Sequence, residues 1–190
     1  MKEIKRKTKE TDIVLSLEIY GSGRAEIDTK IGFFDHMLTS LIKHSLMDCK
    51  LRVIGDLEVD FHHSVEDTGI VLGEAIKASI YPIQGVERFG NAVVVMDEAA
   101  VSCDLDLSNR PFLQYDSVKY GKVGEFDTEL VEEFFRALAF NAGIAVHLNM
   151  LRGQNLHHIA EATFKAFAVA FRRAVAKNER VGIPSTKGIL

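Results

Sequence analysis

The stretch DFHHSVED at 60–67 returns half a chain later as NLHHIAEA at 155–162. In both places two adjacent histidines precede a glutamate four residues after the first: His62, His63 and Glu66, then His157, His158 and Glu161. A motif repeated at half-length spacing predicts that one structural unit occurs twice. The flanking patterns repeat with it. In the first half, 11–23 and the residues around RAEID read as strands about a Gly-rich turn. FFDHMLTSLIKHSL reads as helix, with Phe34, Met37, Leu38, Leu41 and Ile42 at three-and-four spacing. CKLRVIGD and LEVD alternate like strand, and helix returns from about His63 to Ile80 behind Asp60 as N-cap. In the second half NAVVVMDE and AAVSCDLDLS read as strands, followed by PFLQYDSV. TELVEEFFRALAFNAG reads as helix, IAVHLNM as strand, and Leu156 to about Lys177 as a long Ala-rich helix capped by Asn155. Strand–helix–strand–helix order given twice predicts an α+β fold of two pseudo-twofold related halves, about 1–85 and 86–190, within a single compact domain. Each half is expected to be a small mixed sheet with two helices on one face. The other sheet faces then need burial, against each other or against another subunit.

Composition narrows the function classes. The chain has 190 residues, 47% of them hydrophobic, enough for one sizeable core. Its net charge of −4 with both signs mixed leaves no nucleic-acid footprint. The basic run KEIKRKTKE is short and interleaved with acids, so it reads as a solvated arm. No apolar run approaches the ~20 residues of a membrane span, and no charged-then-apolar leader is expected. Cys49 and Cys103 stand alone and read as small core residues in a reducing cytoplasm.

The histidines carry the chemistry. There are seven: His36, His44, His62, His63, His147, His157 and His158. Taken singly, each reads as structural or solvated, and either pair alone as a helix cap. His62 and Glu66 are i, i+4 and share one helix face, as do His157 and Glu161. His63 and His158 sit about 100° round and can face a different ion. Both pairs fall in the first turn of their helices, where the positive end of the dipole disfavours imidazolium, and neutral imidazole is the metal-binding form. Imidazole with carboxylate suits first-row divalent ions. Two ions need further ligands, and His36 and His147 are the spare candidates.

At these residues the sequence resembles the imidazoleglycerol-phosphate dehydratase family. The likeness covers essentially the whole chain: RKTKET (6–11), FFDHMLTSLIKH (33–44), DFHHSVED (60–67), ERFG (87–90), NRP with LQYD (109–116), VEEFFRALA (131–139), GQNLHHIAEATFKA (153–166) and PSTKG (184–188). The doubled HHxxE motif with DHML and FKA around it is highly specific. Gln154 stands where Arg is common and Asn109 where Gly is common; Asn tolerates left-handed backbone, so that turn should survive. Asp97 and Glu98 also match, without an assigned role. No phosphatase domain is expected beside this unit.

The resemblance implies a doubly repeated fold of the ribosomal protein S5 domain 2-like kind, a manganese pair (other divalent first-row metals being possible) and a homo-oligomer of 24 subunits with active sites where subunits meet. It assigns one ion to His62, Glu66, His147 and His158, the other to His36, His63, His157 and Glu161. The implied reaction, in histidine biosynthesis, is loss of water from D-erythro-imidazole-glycerol phosphate to give imidazole-acetol phosphate through a dimetal-bound imidazolate. Glu10 matches the catalytic base, though alone it reads as an exposed glutamate. Arg88, Arg110, Lys165, Ser185, Thr186 and Lys187 match substrate-binding positions, Arg offering phosphate a fork and Lys a point charge. His44, eight residues from His36 on one helix, is a further candidate substrate contact, the alternative being a solvated polar face. No nucleic-acid or membrane partner is expected. A dinuclear phosphate-ester hydrolase and a metal-buffering assembly are the rival readings.

Overall fold

Alternation in Thr11–Glu18 buries Ile13, Leu15 and Leu17 and turns Val14 outward, so this segment is a half-buried strand. The same logic sets the other strands. In the computed structural model, which describes residues 1–188, the first half runs β1 (Lys2–Lys7), β2 (Thr11–Glu18), β3 (Ala25–Asp28), α1 (Gly32–Ser45), β4 (Asp48–Gly55) and α2 (His62–Ile80). The second half runs β5 (Phe89–Met96), β6 (Ala99–Asp106), β7 (Phe112–Asp116), a small hairpin of β8 (Lys122–Val123) and β9 (Phe126–Asp127), α3 (Glu129–Ala142), β10 (Ala145–Arg152) and α4 (Leu156–Ala174). The sheets are ordered β1-β2-β4-β3 and β5-β6-β10-β7. In each the last pair, β4 with β3 and β10 with β7, is parallel and the others antiparallel. The α+β fold of two related halves with mixed sheets therefore stands.

Helices α1 and α2 cover the first sheet, α3 and α4 the second, and the helices meet in the middle as α1 with α4 and α2 with α3. Phe34, Met37, Leu38 and Leu41 of α1 are matched at equivalent turns of α3 by Val131, Phe134, Phe135 and Leu138. The outer sheet faces do not meet one another. On the second sheet that face exposes Phe89, Val93, Val95 and Phe112.

Four expectations change. The N-terminal run is no solvated arm: it is edge strand β1, paired with β2 and pinned by the Arg6 guanidinium, 3.1 Å from Asp67 on α2. LEVD adds no strand, because Leu57–Val59 turn back at once, the Val59 N–H reaching the Asp56 carbonyl (2.8 Å). The geometric N-cap of α2 is Phe61, although Asp60 Oδ1 does accept the His62 N–H (2.7 Å). The long Ala-rich helix ends at Ala174 and Lys177 forms a bridge with Val86.

Two glycines set the α2–α3 approach. A Cβ on Gly69 would lie 2.7 Å from the Phe134 carbonyl oxygen, and one on Gly73 2.7 Å from that of Leu138. Gly69→Ala should therefore lower the thermal midpoint. Its helix-propensity gain of about 1 kcal/mol is outweighed by overpacking of roughly 1–3 kcal/mol; a raised midpoint in a melting scan would contradict this packing.

Candidate metal and active site

Asn155 starts α4 by accepting the N–H groups of His157 (2.9 Å) and His158 (3.3 Å) on its side-chain oxygen, as the sequence indicates. This fixes the second histidine pair in the first helical turn. Helices α1 and α4 run in the same direction: His36 faces His157 near their starts, and Arg172 donates to the His44 carbonyl (3.1 Å) near their ends. The seam thus brings together His36 Nε2, His157 Nε2 and Glu161 Oε2, with 3.2 Å from each nitrogen to the carboxylate. The three donors lie within 4.8 Å of one another and form the one such group among the described residues. Nitrogen donors with a carboxylate fit a first-row divalent ion. Burial acts to raise the Glu161 pKa, but Lys165, its Nζ 2.7 Å away, and His36 outweigh burial and hold it below the usual range.

The first half offers His62 Nε2, 3.5 Å from Glu66 Oε2. The α3 position equivalent to His36 is Glu133, one residue before Phe134 as His36 is before Met37. Glu133 lines a cavity of about 220 Å³ with His62, Tyr120, Glu129 and Glu132.

The structure does not add the remaining histidines to either group within one chain. His63 presents Nδ1 to Asp56 (3.0 Å) and Nε2 to Glu10, 3.9 Å away. His158 presents Nδ1 to Glu98 (2.7 Å) and Nε2 to Asp97, 3.8 Å away. The bond to Asp56 raises the His63 pKa, and that to Glu98 raises His158. Bonds from His158 and from the Asn155 and Gln154 N–H groups hold Glu98 down to about 2. His147, flanked in β10 by the buried Val146 and Leu148, points from the outer face of the second sheet. It lies between Asp104 and Gln114 in register, with the Phe112 ring 5.7 Å away. Asp56 is the residue that sequence reasoning missed, its one visible signal an acidic residue at a strand end; Glu98 stands in the sequence as a match without a role.

Of the basic candidates, Lys165 touches the donor cluster and Arg88 is engaged elsewhere. Arg88 holds Asp106 with both prongs (2.7 and 3.0 Å) and donates to the Pro184 carbonyl (2.6 Å), so its fork is already engaged and anchors the tail carrying Ser185, Thr186 and Lys187. Ser185 Oγ accepts the Lys187 N–H (3.2 Å). Arg110 is exposed beside Asn109, whose φ of 53° keeps the expected left-handed turn. The Arg88 N–H bonds the Ala174 carbonyl at the end of α4. From Glu161 to Ala174 that helix rises about 20 Å. Lys165 and His44 lie nearer the cluster along the α1–α4 seam; burial, then Lys165 and Arg172, push the His44 pKa down. Glu10 is exposed on the β1–β2 turn, its N–H bonded to Thr8 Oγ1 (3.1 Å).

Comparison with known proteins points one way. Residues 29–171 match the family model described as imidazoleglycerol-phosphate dehydratase. The protein of that name from Campylobacter hominis is 72% identical over 185 residues, 97% of each chain. That from Wolinella succinogenes is 65% identical over 190 residues, the whole of both chains. The crystal structure of imidazoleglycerol-phosphate dehydratase from Staphylococcus aureus superposes with a TM-score of 0.82 at 36% identity, covering 94% of this chain and all of the other. The Pyrococcus furiosus structure, in complex with (S)-C348, gives 0.84 at 38% identity, covering 98% of this chain and all of the other.

Arg88→Ala should free the tail. Hydrogen bonds to charged groups contribute about 1.5–3 kcal/mol, so cleavage by trypsin after Arg180 or Lys187 should accelerate about tenfold or more. An unchanged digestion rate would show that this fork does not anchor the tail.

Proposed function

The chain belongs to the imidazoleglycerol-phosphate dehydratase family, and on that premise we propose that it is a metal-dependent hydro-lyase of histidine biosynthesis. It converts D-erythro-imidazole-glycerol phosphate to imidazole-acetol phosphate. The observation that carries the metal dependence is the convergence of His36, His157 and Glu161 within 4.8 Å. We assign one ion to His36, His63, His157 and Glu161 and the other to His62, Glu66, His147 and His158, drawn from neighbouring copies of the chain. Two manganese or similar first-row ions bound there would supply Lewis acidity to the substrate's imidazole ring.

The carbon that must lose its proton has no neighbouring carbonyl, so the ring itself supplies the electron pair that expels the hydroxyl beside it and takes a pair back when the next carbon loses its proton. Glu10 takes the proton from the next carbon, and the enol so formed becomes the ketone. Its place on a turn beside His63 sets it at the edge of the imidazole groups. Arg110, Lys187, Ser185 and Thr186 bind the phosphate, with Arg88 holding the tail in place. Lys165 and His44 line the approach along α1 and α4.

One chain cannot do this alone. The Arg88 end of α4 lies about 20 Å from the Glu161 end, far beyond the reach of a three-carbon phosphate ester. His147, on an outer sheet face, can reach an ion only on another copy. The exposed Phe89, Val93, Val95 and Phe112 supply apolar area for such contacts. These points support a homo-oligomer with shared sites; the 24-subunit size follows the family resemblance. No described helix is long and apolar enough to cross a membrane; the cytoplasmic location follows the family reading.

Metal-stripped protein reloaded with manganese should form a ketone on intact phosphate. Release of inorganic phosphate would instead make it a hydrolase, and absence of turnover a metal store. Glu10→Gln should keep manganese binding and KM while kcat falls about 100-fold or more; near-normal kcat would remove Glu10 from the chemistry. Chains carrying His157→Ala and chains carrying Arg110→Ala should each be inactive alone and regain activity when unfolded and reassembled together. No recovery would place each site within one chain.

A further inference from the structure

The second histidine of each pair is held in the same way by a carboxylate outside the assigned ligands. Asp56 Oδ2 lies 3.0 Å from His63 Nδ1, and Glu98 Oε2 lies 2.7 Å from His158 Nδ1. In both rings the carboxylate nearest Nε2 among the described residues lies farther off, Glu10 at 3.9 Å and Asp97 at 3.8 Å. We propose that Asp56 and Glu98 are positioning residues that set the ring orientation and tautomer of His63 and His158, each keeping the proton on Nδ1 so that Nε2 offers a bare lone pair to a metal ion. The proposal rests on the two-ion reading above.

The physical basis is that neutral imidazole has one N–H and one lone pair, and the partner of one nitrogen decides what the other can do. An ionised carboxylate only accepts, so it selects the Nδ1–H tautomer. Such partners also stop the ring from turning about χ2 and raise its basicity toward the ion.

The two carboxylates come from different places in the repeat. Glu98 ends the turn before β6, where the first half has Glu10 ending the turn before β2. Asp56 directly follows β4, where the second half has Gly153 and Gln154 after β10. The two halves therefore reach one arrangement from non-equivalent positions. That is expected when the shared requirement is a metal-facing Nε2 and not inherited symmetry. It also leaves the Glu10 turn of the first half free for the proton transfer proposed for it.

Glu98 separates a positioning role from a structural one. Its Oε1 accepts the backbone N–H groups of Asn155 (2.8 Å) and Gln154 (3.2 Å), while Oε2 faces the imidazole. In Glu98→Gln the two N–H donors keep the amide oxygen on their side. The amide NH2 must then face His158 Nδ1, which can only accept, and the ring proton moves to Nε2, where it blocks ligation. The backbone cap survives and the tautomer is inverted. Asp56→Ala removes the partner of His63 at a partly exposed position whose side chain is 21% exposed.

The test titrates manganese into metal-stripped, fully assembled protein and follows free Mn2+ by electron paramagnetic resonance, with the metal-free melting midpoint as second readout. In Glu98→Gln one class of sites should weaken about 10–100-fold while the other fills as in the unaltered protein and the metal-free midpoint stays put. Asp56→Ala should weaken the complementary class, and the double variant both. Unaltered filling of both classes in both variants overturns the positioning role alone, as does a loss matched by an equal fall of the metal-free midpoint. Failure of the unaltered protein to take up manganese overturns the two-ion reading, and this proposal with it.

Discussion

The packing of α1 against α4, and of α2 against α3, is the contact on which everything else depends. Each half buries its sheet under its own helices, but the helices complete their burial only against the opposite half. Aromatic rings fill the middle of the helix layer. Phe34 of α1 meets Phe134 of α3 edge-on at 5.5 Å across the halves, and within the second half Phe134 stacks on Phe164 of α4 at 5.2 Å and Phe135 packs on Phe167 at 5.3 Å. Such pairs add about 0.5–1.5 kcal/mol each beyond the area they bury. Because α1 belongs to one half and α4 to the other, closing this seam is also the event that carries His36 to His157 and Glu161. Core formation and assembly of the donor cluster are one process.

Much of this was legible in the residues themselves. The doubled HHxxE spacing, the three-and-four pattern of α1 and the Asn155 cap are local signals, and each element stands where they place it. The cluster of His36 with His157 and Glu161 was legible as a donor inventory, not as a partnership. No local pattern says which half's helix packs on which. What escaped reading did so for physical reasons. Strand β1 hides its character because its one half-buried aliphatic, Ile4, sits among lysines, and it owes its place to backbone pairing with β2 and the Arg6–Asp67 contact across the chain. The β8–β9 hairpin is two residues a side, too short for any periodicity. Asp56 lies just past the end of β4, where spacing carries no phase.

Duplication explains both the order and the incompleteness of the candidate site. Two halves supply two histidine pairs, yet the partner position differs, His36 in one helix and Glu133 in the other. The second half alone carries the tail locked by Arg88 and Asp106. The donor cluster and the tail proposed to bind phosphate therefore occupy opposite ends of α4. Symmetry between copies is the economical way to join ends that a rigid helix keeps apart.

The edges of the two sheets differ in temperament. The rim strand β1 presents Lys2, Lys5 and Lys7 to solvent, and the other rim of that sheet, β3, is four residues long. Charge and brevity both discourage an extra strand from docking there. At the opposite sheet, rim strand β5 runs eight residues and shows Phe89, Val93 and Val95 to water. A single copy thus carries its long adhesive border at β5. Uncontrolled fibre-like growth, where it starts, begins from that rim, and covering it is what ends the danger.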